Sequence, residues 1–186
     1  MLLYFAPKLP SEAKQAEKDD SAFAVSFEEA KKNLTPEQKA IFDRADQSLK
    51  KALADNTEQA WIASAEDFLK GARLIKDDKK ATLYKGAINS FEKALFLNPA
   101  NLSAKTNLGT AIVESSSFLG NQPMKGITLL REVIQADSNN IEANLQLGLF
   151  SVTSQQFNKA IERFNRILRI DSTHIDMYVY LGDTYL

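Results

Sequence analysis

The feature that most limits the fold of this chain is the dipeptide Leu-Gly, which recurs in its second half. The copies at Leu108-Gly109, Leu147-Gly148 and Leu181-Gly182 are spaced by 39 and 34 residues. Periods of about 20 to 50 residues are typical of repeat architectures, in which each repeat is one supersecondary unit. We therefore expect residues 57–186 to form an array of similar units.

A second motif places a small residue four positions before a large apolar one, at Ala87 and Phe91, Gly126 and Leu130, and Ala160 and Phe164. Residues four apart share one face of a helix. The small residue lets a second helix approach, and the large one fills the space beside it. With only 7 glycines and 5 prolines in the chain, the pattern predicts pairs of helices. The predicted units are 57–101, 102–140, 141–174 and a half-unit, 175–186.

Together these motifs resemble the tetratricopeptide repeat (TPR) family, whose pattern is Trp-x2-Leu-Gly-x2-Tyr, then Ala-x3-Phe, then Pro, in 34 residues. The resemblance implies an all-α fold, a TPR-type α-solenoid in which helix pairs stack into a right-handed superhelix. Only the unit 141–174 has the regular length. We expect the surplus of the second unit near residues 115–125, and that of the first near residues 75–80, where it extends the first helix.

The solenoid is expected to be preceded by a helical hairpin at residues 21–56. Phe23, Phe27 and Leu34 recur at helical spacing. Thr35 is a suitable N-cap for the second helix, because Pro36 fits a first turn and Gln38 completes a capping box. We expect that helix to end near residues 54–56.

Residues 1–20 begin with six apolar residues, continue through Pro7 and Pro10, and end in a charged stretch at residues 11–20. A transmembrane helix needs about 20 apolar residues, so the segment cannot span a bilayer alone. Two interpretations stay open, a disordered terminus and the remnant of a membrane anchor followed by a linker.

The composition argues against several classes of function. The 23 basic and 24 acidic residues nearly cancel, and there is no cysteine, so we expect no nucleic-acid partner, disulfide or thiolate site. The lone histidine, His174, has no catalytic motif around it, and we predict no enzyme activity, cofactor or metal. A basic stripe at Lys159, Arg163, Arg166 and Arg169 is interpreted as a solvated outer face, with an acidic partner or nucleic acid as the alternative.

The TPR resemblance implies that the first helix of each unit lines a concave groove, which receives an extended peptide or a helix. When positions are counted from the Leu-Gly pair of each unit, as in TPR proteins, the residues predicted to line the groove are Thr106, Asn107, Thr110, Val113, Glu142, Leu145, Gln146, Leu149, Val152, Asp176, Val179, Tyr180 and Asp183. Glu114 is a further candidate from the second unit. The alternative is that some of these side chains pack against a neighbouring unit.

Relatives that bind the C-termini of chaperones hold the terminal carboxylate with lysine, arginine and asparagine. This sequence keeps Asn107, but the other clamp positions hold Thr106, Thr110, Glu142 and Gln146. We therefore expect no chaperone binding of that kind. The predicted groove instead carries an apolar strip formed by Leu145, Leu149, Val152 and Val179.

The predicted function is a non-enzymatic scaffold that binds a peptide segment or helix of another protein. The sequence resembles bacterial TPR proteins that are anchored in a membrane by one N-terminal helix and assist assembly of envelope complexes from the periplasm. Without an anchor, a cytoplasmic location is expected. The alternative is a permanent subunit of a larger complex, since the apolar end at Leu186 has no polar capping helix.

Overall fold

A computed structural model describes residues 21–120 and 122–185, and within these residues all regular structure is helical. The predictions for residues 1–20 and for Leu186 lie outside this range. The helices are α1 (residues 21–30), α2 (Pro36–Asp55), α3 (Glu58–Leu74), α4 (Lys80–Leu97), α5 (Leu102–Leu119), α6 (Pro123–Ala136), α7 (Ile141–Thr153), α8 (Phe157–Ile170) and α9 (Ile175–Tyr185).

The helices pack in chain order. Helices α3 and α4, α5 and α6, and α7 and α8 form antiparallel pairs, and the second helix of each pair also packs on the first helix of the next. Each pair therefore shares its apolar surface with its neighbours, as expected of a solenoid. The predicted all-α solenoid of stacked helix pairs is confirmed.

The start of α2 shows why the local sequence folds as it does. Thr35 Oγ1 accepts a hydrogen bond from the backbone N–H of Gln38 at 3.2 Å, and Gln38 Oε1 accepts one from the N–H of Thr35 at 3.1 Å. This is the capping box that the sequence predicts. The helix ends at Asp55, and Asn56 follows in a left-handed conformation with φ of 45°.

Four phenylalanines join the first three helices. Phe27 of α1 stacks on Phe42 of α2, with ring centroids 5.7 Å apart, and meets Phe68 of α3 edge-on at 5.3 Å. Phe23 also contacts Phe68, at 5.9 Å. Aromatic pairs in these geometries add to the stabilisation from burial, so the N-terminal helices are packed firmly against the first unit.

The units differ in length because their helices do. Helices α7 and α8 have 13 and 14 residues, whereas α5 has 18 and α6 has 14. The surplus of the second unit therefore lies at the end of α5, which Gly120 terminates with φ of 66°, as predicted. In the first unit both helices are extended, to 17 and 18 residues. The expectation that its first helix carries the surplus is only half right, because α4 is also longer than α8, the corresponding helix of the regular unit.

The turn between successive pairs is the same three times. The side chains of Asn98, Asp137 and Asp171 each accept a hydrogen bond from the backbone N–H two residues later, at 3.2, 3.0 and 2.9 Å. Asx turns of this kind are a property of short polar side chains. They give each pair a similar connection to the next, which keeps the first helices in phase.

Candidate functional site

The glycines of two Leu-Gly pairs, Gly109 and Gly148, fix the rotation of their helices. A Cβ atom at Gly148 would lie 2.5 Å from the ring of Phe164, and one at Gly109 would lie 2.8 Å from Leu130 Cγ. Both glycines therefore face the second helix of their own pair at close approach. Residues on the other sides of α5 and α7 remain to meet neighbouring units or solvent.

Most of the groove residues predicted on α5 are buried or packed against other helices of the protein. Thr106 and Thr110 are buried, and Thr106 Oγ1 donates a hydrogen bond to the carbonyl of Leu102 at 2.8 Å. Val113 packs against the apolar cluster between α6 and α7. Asn107 and Val113 are half-buried, so Asn107 is the polar residue of this group that keeps some surface for a ligand.

On α7 the predicted residues divide into a polar pair and an apolar strip. Gln146 Nε2 donates a hydrogen bond to Glu142 Oε1 at 3.0 Å. Leu145, Leu149 and Val152 are partly buried, and they pack against the cluster that α8 and α9 form. The strip therefore contributes to the junction between units as well as to any binding surface.

Helix α9 carries the most accessible members of the set. Asp176 and Asp183 are exposed, and the side chain of Val179 is 56% exposed. Tyr180 is half-buried and stacks on Phe164 with ring centroids 5.5 Å apart. The structure thus brings Val179 and the two carboxylates together on one helix.

A polar cluster that sequence reasoning missed connects α3, α4 and α5. Arg73 donates two hydrogen bonds to the carboxylate of Glu114, Nε to Oε2 at 3.1 Å and Nη2 to Oε1 at 2.8 Å. Tyr84 Oη donates to Glu114 Oε2 at 3.0 Å. Burial, together with the nearby carboxylate, raises the pKa of Tyr84 to about 12. The phenol therefore stays protonated, and it acts as a donor.

Arginine and tyrosine hold Glu114 in a fixed position, so this candidate groove residue links two neighbouring units. Charge-assisted, two-pronged bonds of this kind are among the stronger ones on a protein surface. Glu114 lies 41 residues from Arg73 and 30 from Tyr84. No periodic signal in the sequence connects these positions, because the unequal lengths of the units shift their register.

The first helices offer no free cation to an anionic ligand. Helices α7 and α9 contain no lysine or arginine. Helices α3 and α5 contain Lys70, Arg73 and Lys105, which form ion pairs with carboxylates at 3.5, 2.8 and 2.9 Å. The exposed charge that remains on α9 is negative, which favours apolar or cationic side chains in any ligand bound there.

Other kinds of site were sought in the same residues. No group of three or more histidine, cysteine, aspartate or glutamate side chains that could hold a metal ion forms in the described part of the chain. Among the described helices, none combines the length and the apolar character that crossing a bilayer requires.

No protein-family model and no curated protein matches the chain. Several solved structures do. A thermophilic TPR protein of Thermus thermophilus is 16% identical, with a TM-score of 0.58 over 94% of both chains. A crystal structure of the MamA protein is 22% identical, with a TM-score of 0.49 over 80% of both chains. YrrB, described as a TPR protein with an unusual peptide-binding site, is 24% identical, with a TM-score of 0.45 over 88% of this chain and 82% of YrrB.

The likeness to the Thermus protein concerns the fold alone. With the repeated helix pairs and the Leu-Gly packing described above, it defines the class: this chain resembles the TPR family and has the fold of a TPR protein. Solenoids of stacked repeats present extended surfaces that are used for binding.

Proposed function

We propose that this protein is a non-enzymatic scaffold that binds a peptide segment or helix of another protein along α7 and α9. The observation that carries the proposal is the exposure of Val179 between Asp176 and Asp183, on the helix whose Met177 and Tyr180 share a cluster with the partly buried strip on α7. An apolar contact flanked by polar groups is the usual composition of a binding surface. The partner segment is expected to combine apolar side chains with lysine or arginine.

The engaged cations on α3 and α5 support the expectation that a chaperone C-terminus is not the ligand. A terminal carboxylate would have to displace Glu114 from Arg73, where two hydrogen bonds already hold it. Removing such a partner leaves a charge without its counterpart, which is costly.

Val179→Glu is the variant that tests the binding surface. It places a charge on an exposed side chain and leaves the core untouched. Val25→Glu on α1 is the matched control, because Val25 is also exposed, at 72%. Substituting Leu145 and Leu149 would be less informative, since both residues also pack against the apolar cluster formed by α8 and α9.

The assay is photocrosslinking from a reactive residue placed at Asp183, followed by mass spectrometry. The proposal predicts a discrete partner whose crosslink disappears with Val179→Glu and persists with Val25→Glu. Equal crosslinking in both variants would count against binding at this surface. Circular dichroism checks that both variants keep their helices.

A more specific proposal concerns the cellular location of the protein. We propose that the protein works at the periplasmic side of a bacterial membrane, in assembly of envelope complexes. The support is the apolar start of the sequence, Met1 to Ala6. Fractionation of the source cells tests it: recovery of the native protein in the soluble cytoplasmic fraction contradicts a membrane-associated role.

A separate observation supports a second candidate function. A Cβ atom at Gly182 would meet nothing within 4 Å, unlike those at Gly109 and Gly148, and Ile175 on the same helix is 74% exposed. This open apolar side of α9 favours a permanent subunit that is covered by another chain. Sedimentation over a range of concentrations distinguishes the two, because a monomer at high concentration favours the scaffold.

A further inference from the structure

Three arginines meet at the outer junction between the second and third units. Arg131 lies on α6, and Arg163 and Arg166 lie on α8; we call them the arginine patch. Within the described residues none of the three forms an ion pair. At the preceding junction, by contrast, Lys125 of α6 pairs with Glu92 of α4 at 2.6 Å. One outer junction is thus neutralised internally and the other is not.

The central arginine of the patch is held in place by the fold. Arg163 is half-buried, and its Nη1 donates a hydrogen bond to Asn144 Oδ1 at 3.3 Å. Asn144 is itself buried, and its Nδ2 donates to the carbonyls of Ser138 and Asn140 at 3.0 and 2.9 Å. The guanidinium group therefore has a fixed orientation and still has donors that remain free.

Charges on neighbouring side chains act on the central arginine. Burial lowers the pKa of Arg163, Glu162 acts in the opposite direction, and Arg131 and Arg166 lower it further. Arginine remains charged at any physiological pH. The folded protein therefore bears the repulsion of like charges at this junction, a repulsion that a bound anion would relieve.

The spacing on α8 places its cations side by side. At about 100° per residue, Lys159, Arg163 and Arg166 fall within an arc of roughly 60° on the helix. Arg169 continues the row along the helix by one further step. Arg163 is directed towards α7, and Arg131 of α6 lies close enough to influence it, so the patch extends across two units.

We propose that the arginine patch is a second docking site, which binds an acidic peptide segment of a partner protein. Guanidinium groups bind carboxylates through two parallel hydrogen bonds, and a segment rich in Glu or Asp supplies several carboxylates at once. The patch uses α6 and α8, so it is independent of the surface proposed on α7 and α9.

An acidic peptide fits the patch better than a nucleic acid does. Affinity for nucleic acids depends on many phosphate contacts, and the patch offers few. Glu162 lies beside the arginines and would repel a continuous phosphate backbone, whereas a peptide can place an uncharged residue there. The chain as a whole also has a net charge of −1.

The test measures fluorescence anisotropy of a labelled 12-residue peptide of alternating Glu and Ala, with a Gln and Ala peptide as the reference. We expect the Glu peptide to bind and the Gln peptide not to bind. In the triple variant Arg131→Gln/Arg163→Gln/Arg166→Gln, affinity for the Glu peptide should fall by about tenfold or more.

The matched control is Lys39→Gln/Lys50→Gln/Lys70→Gln, which removes the same number of positive charges from lysines that already pair within their own helices. It should change the affinity by less than about twofold. If the triple arginine variant loses helicity, the double variant Arg131→Gln/Arg166→Gln replaces it, because it keeps the hydrogen bond from Arg163 to Asn144.

Three outcomes would overturn the proposal. The first is failure of the natural protein to bind the Glu peptide. The second is an equal loss of affinity in the arginine and lysine variants, which would indicate attraction by overall charge. The third is tighter binding of an oligothymidylate than of the peptide at the same ionic strength, which would assign the patch to nucleic acid.

Discussion

Gly126 is the position where a single methyl group tests the packing between α5 and α6 most directly. A Cβ atom there would lie 2.6 Å from the carbonyl oxygen of Gly109 and 3.0 Å from Val113 Cγ2. An ordinary contact begins near 3.4 Å. The obstacle is backbone, so Gly126→Ala has to separate the two helices by several tenths of an ångström.

The two contributions to the change in stability have opposite signs. Replacing glycine with alanine inside a helix stabilises by about 1 kcal/mol. Overpacking a well-filled core costs about 1–3 kcal/mol, and a rigid obstacle favours the upper end of that range. We expect Gly126→Ala to lower the free energy of unfolding by about 1–2 kcal/mol, and the melting temperature by about 2–8 °C.

Gly182→Ala is the matched control, because a Cβ atom there meets nothing within 4 Å. It should raise the free energy of unfolding by about 0.5–1 kcal/mol. Urea titrations followed by circular dichroism at 222 nm measure both variants against the natural protein. The reasoning about close helix approach fails if Gly126→Ala is as stable as the natural protein or more stable.

Three further predictions concern polar groups. A double-mutant cycle of Arg73→Ala and Glu114→Ala should give a coupling of about 0.5–1 kcal/mol in urea titrations, and a coupling of zero would mean that the pair does not link the units. Two lysines lower the pKa of Asp46 against the opposing effect of burial, so its contribution to stability is present at neutral pH and lost as the pH falls below about 4. Asp46→Asn should accordingly destabilise more at pH 7 than at pH 3; an effect of equal size at both would contradict the ion pairs. Thr110 has a buried hydroxyl without a hydrogen-bond partner among the described atoms, so Thr110→Val should leave thermal stability unchanged or raise it, and a marked loss would indicate an unseen partner.

The N-terminal helices show how far local signals reach. Thr35, Pro36 and Gln38 act on backbone groups within one turn, so the start of α2 could be read directly from the sequence. The end of α5 could also be predicted from the sequence, because Gly120 adopts the positive φ that glycine tolerates. The extension of α4 was not predicted. The spacing between motifs gives the length of a whole unit, but it does not indicate which helix of the unit contains the extra residues.

The candidate site was harder to predict than the fold. Positions on α9 such as Val179 are accessible, but Thr106 and Thr110 are buried although they occupy corresponding faces of α5. Which side of a helix remains exposed depends on the neighbouring units, and those units differ in length. The groove residues therefore stay a prediction that the Val179→Glu experiment addresses.

The sequence by itself determined the repeat class, because small and large residues at fixed intervals place a close helix contact at the same positions of each unit. Leu147, Gly148, Ala160 and Phe164 specify such a pair within 18 residues. Only the tertiary structure decided which charges meet. Arg73 pairs with Glu114 of the next unit, whereas Arg131 and Arg163 lie near each other and neither forms an ion pair among the described residues. Such contacts depend on the stacking of whole units, and no local interval in the sequence records them.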